Sequence, residues 1–466
     1  MTGVLGEATV RELEIGLAGS VVGPWDPDYE VARRVWNHAI DQRPALIVRA
    51  ASTEDVARAV CFARSEGRPI AVRGGAHSVA GFSSCDDGIV IDLAQLNEVQ
   101  VDVESQRAFA GGGTTWKTFD AASQQHGLAT TGGLVSSTGI GGFALGGGIG
   151  HLVRKYGLTC DNLLSVELVT ADGEVVHASG SQNSELFWAL RGGGGNFGVV
   201  TKFELALHPV GPIVLGGPVF YACEQAAQVM NGWRDLLEEM PDELSTTFVL
   251  TTAPPAPFIP EDWHYKKVAV VSACWAGDPA KGQTIVKPLR ALGTPITDLL
   301  DPIPYTDLQQ LVDPLWEVGA ANYFTSAFLD RLPAEAVEIL SDFHRRSPDL
   351  PVQAELHIHH LGGAVARVPA DSTAFTDRSS PFVINCLART SDTADLPPHL
   401  GWARAARTAM APYGKGGRYV NFAGEGEEDN VRASYPPATY ARLQAVKNQY
   451  DPFNVFRFNI NIRPTT

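Results

Sequence analysis

The run from residue 139 to residue 150, GIGGFALGGGIG, constrains this 466-residue chain more than any other stretch. Glycine lacks a Cβ and reaches positive φ, so neighbouring N–H groups can converge on one oxygen-rich group or let another backbone pass very close. The chain holds 47 glycines, and the dense clusters, 74–81, 111–113, 132–150 and 192–198, all precede about residue 200. One of them, residues 70–78 (IAVRGGAHS), ends a short apolar run in two glycines and then presents His77 and Ser78. A single glycine turn is ordinary, but two such loops suit a long, two-headed ligand.

Composition narrows the partners. With 44% hydrophobic and 19% charged residues the chain buries a large core, and its length predicts two or three lobes. A net charge of −16 disfavours nucleic acid and anionic membranes, leaving a small molecule as the expected partner. No apolar run reaches the roughly 20 residues of a bilayer span, and residues 1–18 lack the pattern of a secretory leader, so a soluble, cytoplasmic protein is expected. Six scattered cysteines with no CxxC pair argue against a disulfide framework and a structural zinc site, and most should be buried thiols.

The local patterns are mixed. Residues 89–93, 165–170 and 199–207 read as strands, and 53–66 as a helix capped by Thr53. Beyond a boundary near residue 210 come helical patterns at 224–240 and 334–345 and strands at 268–274 and 351–361. Residues 450–464 (YDPFNVFRFNINIRP) are too apolar to lie free. The expected class is α+β, divided into 1–210, 211–410 and a returning segment 411–466.

Gly139 to Gly142, with Asp161 about 20 residues on, loosely imitates a nicotinamide dinucleotide fingerprint. That motif needs a strand just before it, and residues 129–137 (ATTGGLVSS) are small and polar instead. The ordered set of motifs resembles another family. It comprises VRGGAHS at 72–78, GIGG at 139–142 with LGGGIG at 145–150, YGL at 156–158 with Asp161 and Asn162, ELFWALRGGG at 185–194 and NFGVV at 196–200. YVNF at 419–422 and YDP at 450–452, followed by Asn454, Phe456, Asn459, Asn461 and Pro464, complete it. Together these resemble the flavoprotein oxidases that include vanillyl-alcohol oxidase, in their berberine bridge enzyme-like branch.

The resemblance implies a PCMH-type FAD-binding module of two α+β subdomains and a substrate domain whose antiparallel sheet covers the flavin. It implies that the loop of Arg73, Gly74, Gly75, Ala76, His77, Ser78 and Gly81 cradles the FAD pyrophosphate, and that His77 is bonded to the flavin 8α carbon. Further cofactor contacts are implied for Gly133, Ser137, Thr138, Gly141, Gly142, Gly146, Gly147 and Gly150, and for Val199, Val200, Asn421, Asn459 and Asn461. Many relatives add a second, cysteinyl bond four residues before the glycine matching Gly139. Here Val135 stands there and cannot form a thioether, so one bond is expected.

The implied chemistry is hydride transfer to FAD from a C–H beside oxygen or nitrogen of a small alcohol, sugar or cyclic amine, followed by reoxidation by O2 to give H2O2 or, as in the family's dehydrogenases, by another acceptor. Tyr419 is the leading candidate base, because the residues of YVNF should alternate in facing and the family's first tyrosine lies at the flavin. On the strand at 351–361, period two places Gln353, Glu355, His357 and His359 on one face, as a pocket wall or as solvated surface, with Trp316 and Tyr323 as apolar walls. Two other readings stand beside an oxidase: a flavin-carrying protein without turnover, and a metalloenzyme built on Glu355, His357, His359 and His360. The second leaves the glycine loops without a task, and no resident metal is expected.

Overall fold

The computed structural model describes residues 5–424, 431, 432 and 434–465, so Met1 to Val4 of the stretch read for a leader lie outside it. Short β-branched runs stopped by glycine or polar turns form the first sheet: β1 (Ser20–Val22), β2 (Leu46–Arg49), β3 (Ile70–Arg73) and β4 (Ile89–Asp92). Its order is β1-β2-β4-β3, with β2 and β3 parallel to β4. The helix Thr53–Ser65 packs on it through Val56, Ala59, Val60 and Ala63, spaced for one helical face. Its cap is Ser52, whose hydroxyl accepts from the Asp55 N–H, rather than Thr53. Thr53 already lies inside the first turn and donates instead to Glu167 Oε1 at 2.8 Å.

Next in the chain come β5 (Val99–Asp102), β6 (Arg107–Gly111), β7 (Leu128–Ala129), β8 (Leu163–Val169), β9 (Val175–Ser179), β10 (Val199–Ala206) and β11 (His208–Pro209). An antiparallel sheet runs β5-β6-β10-β8-β9, while β7 pairs with β11.

From Ile213 onward one large antiparallel sheet dominates: β12 (Ile213–Ala222), β13 (Leu244–Thr252), β14 (Lys267–Trp275), β15 (Pro295–Asp298), β16 (Asp301–Pro304), β17 (Ala321–Leu329), β18 (Gln353–His360) and β19 (Phe382–Thr390). Its order is β15-β12-β14-β13-β18-β19-β17, with β16 also on β12. One face carries Phe248, Leu356 and Ile384 against the helices Ala226–Leu236, Ala334–Arg345 and Leu400–Ala409. Alternation leaves the other face for the first lobe.

The C-terminal stretch packs into the first lobe. Leu443 and Val446 of the helix Pro437–Tyr450 join Leu186 and Trp188, and Phe456 joins Leu46 and Ile91. Lys447 is fully buried, and its ammonium meets Asp451 at 2.5 Å and the carbonyls of Asn196 and Phe456, so no charge is left unpaired. All six cysteines are free: four buried, Cys223 half-buried and Cys61 exposed. Among the described residues no helix is long and apolar enough to cross a membrane.

Candidate active site

The two glycine loops lie back to back. A Cβ on Gly139 would overlap the backbone of Gly75, and one on Gly75 would overlap that of Gly139, so neither position can carry a side chain without moving the other. At the end of β3, Ala76 takes a left-handed φ of 58°, which swings His77 out of the strand line. The His77 imidazole stacks on Trp36, with ring centroids 4.9 Å apart, and its Nε2 lies 2.9 Å from Ser137 Oγ. Burial pulls its pKa down to about 4, so the ring is neutral at physiological pH.

A cavity of about 440 Å³ runs from these loops to the large sheet. Its loop end is backbone-rich: Gly74, Gly75, Ala76, Gly139, Gly141 and Gly142 line it, joined by Gly194 and Gly195. Its far end is the open face of the sheet. Register pairs Thr247 with His359, Val249 with His357 and His357 with Asn385, and all five side chains point inward, with Phe324 and Leu387 beside them. Trp36, Trp316 and Phe422 close the sides. Among the described residues, no Lys, Arg, Asp or Glu lines the cavity.

At the edge of that wall His357 Nε2 and Glu355 Oε2 are 2.6 Å apart. Burial works to raise the Glu355 pKa, but the hydrogen bond and charge of His357, with Thr251 and Arg389, outweigh it and hold the carboxyl below its usual range. Burial lowers His359 to about 3, so that ring stays neutral, with Nδ1 3.3 Å from Thr247 Oγ1 and Nε2 unpartnered.

Two segments match known family models: an FAD binding domain over residues 44–179, and "Berberine and berberine like" over residues 418–463. An FAD-linked oxidoreductase of Dictyostelium discoideum is 33% identical over 92% of this chain and 91% of its own. The (R)-6-hydroxynicotine oxidase of Paenarthrobacter nicotinovorans is 32% identical over 97% of this chain and 98% of its own. The chain belongs to the berberine bridge enzyme-like family of FAD-linked oxidases. In structure it is similar to 6-hydroxy-D-nicotine oxidase from Arthrobacter nicotinovorans, with a TM-score of 0.86 and 29% identity over 96% of this chain and 98% of that one. Glucooligosaccharide oxidase from Acremonium strictum, at 23% identity and a TM-score of 0.87, covers 98% of this chain and 100% of its own; that protein carries 6-S-cysteinyl, 8α-N1-histidyl FAD.

The cavity of this oxidase suits FAD. Besides the glycine backbone, it holds buried polar atoms with no protein partner, Ser83 Oγ and Asn459 Oδ1, on residues that line it. Of the residues expected to hold FAD, Gly74, Gly75, Ala76, His77, Ser78 and Gly133 line the cavity, as do Thr138, Gly141, Gly142, Gly146, Val200, Asn421 and Asn459. Ser137 reaches it through His77.

Six others do not line it. Arg73 is a buried brace, donating to the carbonyls of Ala32 and Ser83 beside Asp92. Gly81 packs on Ile40, Gly147 on Phe375, and Gly150 on the Gly132 carbonyl. Val199 belongs to the core under the first sheet. Asn461 is outside the cavity lining, its Oδ1 unpartnered.

The polar strand divides likewise. His357 and His359 face the cavity, whereas Glu355 stands beside it as the partner of His357 and Gln353 lies beyond, opposite Arg389. His360 turns to the other face, 3.0 Å from Arg154, so the imidazoles do not converge. Among the described residues no group of three metal-ligating side chains forms.

Two expectations are corrected. Val420–Phe422 is a turn of 3₁₀ helix, so facing does not alternate: Asn421 and Phe422 reach the cavity, while Tyr419 is sealed behind them. The Tyr419 hydroxyl accepts from the Gly148 N–H at 2.9 Å and from Asn421 Nδ2 at 2.8 Å, and burial raises its pKa well above the usual tyrosine range. Tyr323 packs with the helical layer and bonds Arg404, because its neighbour Phe324 takes the cavity side of β17. Trp36, His151, Thr247 and Asn385 also line the cavity, though no motif pointed to them: they sit on ordinary strands and loops with no local signal, and only the phase of β18 and its partners would have found the last two.

Proposed function

We propose that this oxidase removes hydride from a C–H bond beside O–H or N–H in a small, largely apolar substrate, uncharged or cationic, with FAD bound covalently through His77 alone and His357 as the base. The observation that carries this reading is the 2.6 Å contact of His357 and Glu355 on the cavity wall. An ionised Glu355 accepts the Nε2–H, which leaves Nδ1 of His357 as the proton acceptor and favours the imidazolium that forms. This base replaces Tyr419, whose hydroxyl is occupied by two donors away from the cavity.

Bound FAD would accept the hydride and pass its electrons to dioxygen, giving H2O2. Trp36, Trp316 and Phe422 give a flat apolar substrate three rings to lie against and exclude water from the reacting carbon. Asn385 and the neutral His359 offer a hydrogen-bonding end deeper in the wall. A cavity lining free of Lys and Arg among the described residues offers no counter-charge to a carboxylate or phosphate substrate. Val135 at the loop end of the cavity supports a single covalent bond.

The test is anaerobic mixing of the purified protein with panels of alcohols, sugars and cyclic amines while the yellow flavin absorbance is followed. A subset of neutral or cationic compounds should bleach it. If nothing reduces the flavin, the protein is a flavin carrier without turnover and the reading fails.

A further inference from the structure

The His77 imidazole is held by more than its own loop. Trp36 stacks on its face at an interplanar angle of 19°, and Ser137 Oγ takes Nε2 at 2.9 Å. Trp36 is itself pinned, its backbone N–H donating to the Ala76 carbonyl and its indole N–H to the Trp316 carbonyl at 2.8 Å. Ser137 sits on a tight loop: Ser136 donates to Asp313 through both its N–H, at 2.8 Å, and its hydroxyl, at 2.5 Å, and the Thr138 carbonyl accepts from the Trp116 N–H. Among the described residues no hydrogen bond reaches His77 Nδ1.

From this arrangement we infer that Ser137 is a positioning residue for flavin attachment: it accepts the Nε2–H of His77, selects that tautomer, and leaves the Nδ1 lone pair as the nucleophile. The inference rests on the reading that His77 carries the flavin. In the attachment step the Nδ1 lone pair forms a bond to the 8α carbon as one of its C–H bonds breaks, and that bond's electron pair remains on the ring, which is thereby reduced by two electrons. Dioxygen reoxidises it. Overall one C–H hydrogen and the imidazole N–H hydrogen leave with two electrons to make H2O2, and the product is an oxidised flavin joined to a neutral imidazole. The ring is cationic when the new bond has formed, and an oxygen acceptor already on Nε2–H stabilises that charge where it develops. Trp36 keeps the ring from swivelling Nδ1 away.

The experiment follows covalent incorporation of added FAD into apo-protein, by in-gel flavin fluorescence after denaturation and by the mass of the His77 peptide. Ser137→Ala should bind FAD non-covalently as the wild type does but form the bond about tenfold more slowly, the loss of one hydrogen bond to a charged group. A fraction of the product should be joined through Nε2, identified by NMR of the isolated aminoacyl flavin. Ser137→Thr, which keeps the hydroxyl, should restore the rate and the single isomer. Wild-type rate and isomer in Ser137→Ala overturn the inference, and so does a variant that binds no FAD, since the hydroxyl then serves binding and not attachment. Covalent flavin persisting in His77→Ala would instead sink the underlying reading.

Discussion

His357 and Glu355 occupy alternate positions of β18 and meet at 2.6 Å, one on the cavity lining and the other just beside it. Two residues apart on a strand, their side chains rise from the same face, so the pair forms from local geometry alone and the sheet delivers it to the site. Replacing His357 with Asn should slow anaerobic flavin reduction by about 10²- to 10⁴-fold, the usual reach of a general base, with flavin content unchanged. Glu355→Gln should give a smaller loss, because it misorients the imidazole without removing it. Stopped-flow reduction traces decide the point, and wild-type rates in His357→Asn would remove the histidine from the mechanism.

Tyr419→Phe takes the acceptor from a buried Gly148 N–H and from Asn421. It should cost about 1–3 kcal/mol in denaturant unfolding, as an unsatisfied buried donor does. Reduction should slow far less than in His357→Asn. A Tyr419→Phe protein that keeps its stability but loses reduction would return the base to tyrosine.

Asp120 lies wholly inside, on the helix Trp116–Ser123, where Gln309 Nε2 donates to its Oδ2 at 3.0 Å while Oδ1 has no partner. Burial pushes its pKa up to about 7. The folded state thus holds this proton more tightly than the unfolded chain, whose carboxyl titrates near 4. Below about pH 4 both states are protonated and nothing is lost. Between about pH 4 and 7 stability is progressively lost, and the loss reaches on the order of 2–4 kcal/mol above pH 7. Asp120→Asn should therefore raise unfolding stability at pH 7.5 and flatten its pH dependence across that window. Parallel profiles for the two proteins would contradict the assignment.

Gly139→Ala should leave a protein that is destabilised by about 1–3 kcal/mol and poor in flavin, since the added methyl has only the Gly75 backbone to displace. Thermal melts and flavin-to-protein absorbance ratios read both effects. Normal flavin loading in this variant would mean that the two loops need not touch.

Much of the fold was legible because its signals are local. The runs at 89–93 and 199–207 are β-branched and bounded by turns, and they became β4 and β10 nearly residue for residue. Period two along β18 put His357 and His359 on one face, and both line the cavity. The motif that misled was YVNF: its spacing looks extended, yet Val420–Phe422 winds into a 3₁₀ turn held by the Phe422 N–H to the Tyr419 carbonyl, and a single turn reverses which residue faces the cavity. Trp36 carried no signal, since its importance comes from meeting His77 and Trp316, residues 41 and 280 positions away.

By itself the sequence determined where the backbone is bare, which ring follows the bare loop, and which side chains share a strand face, because these depend on bond geometry within a few residues. Tertiary structure alone decided that Gly75 presses on Gly139, that Ser137 reaches His77, and that Asn421 rather than Tyr419 looks into the cavity. Those outcomes depend on how sheets and loops distant in the chain close on one another, where displacement by a single ångström makes or breaks a contact and no local pattern records it.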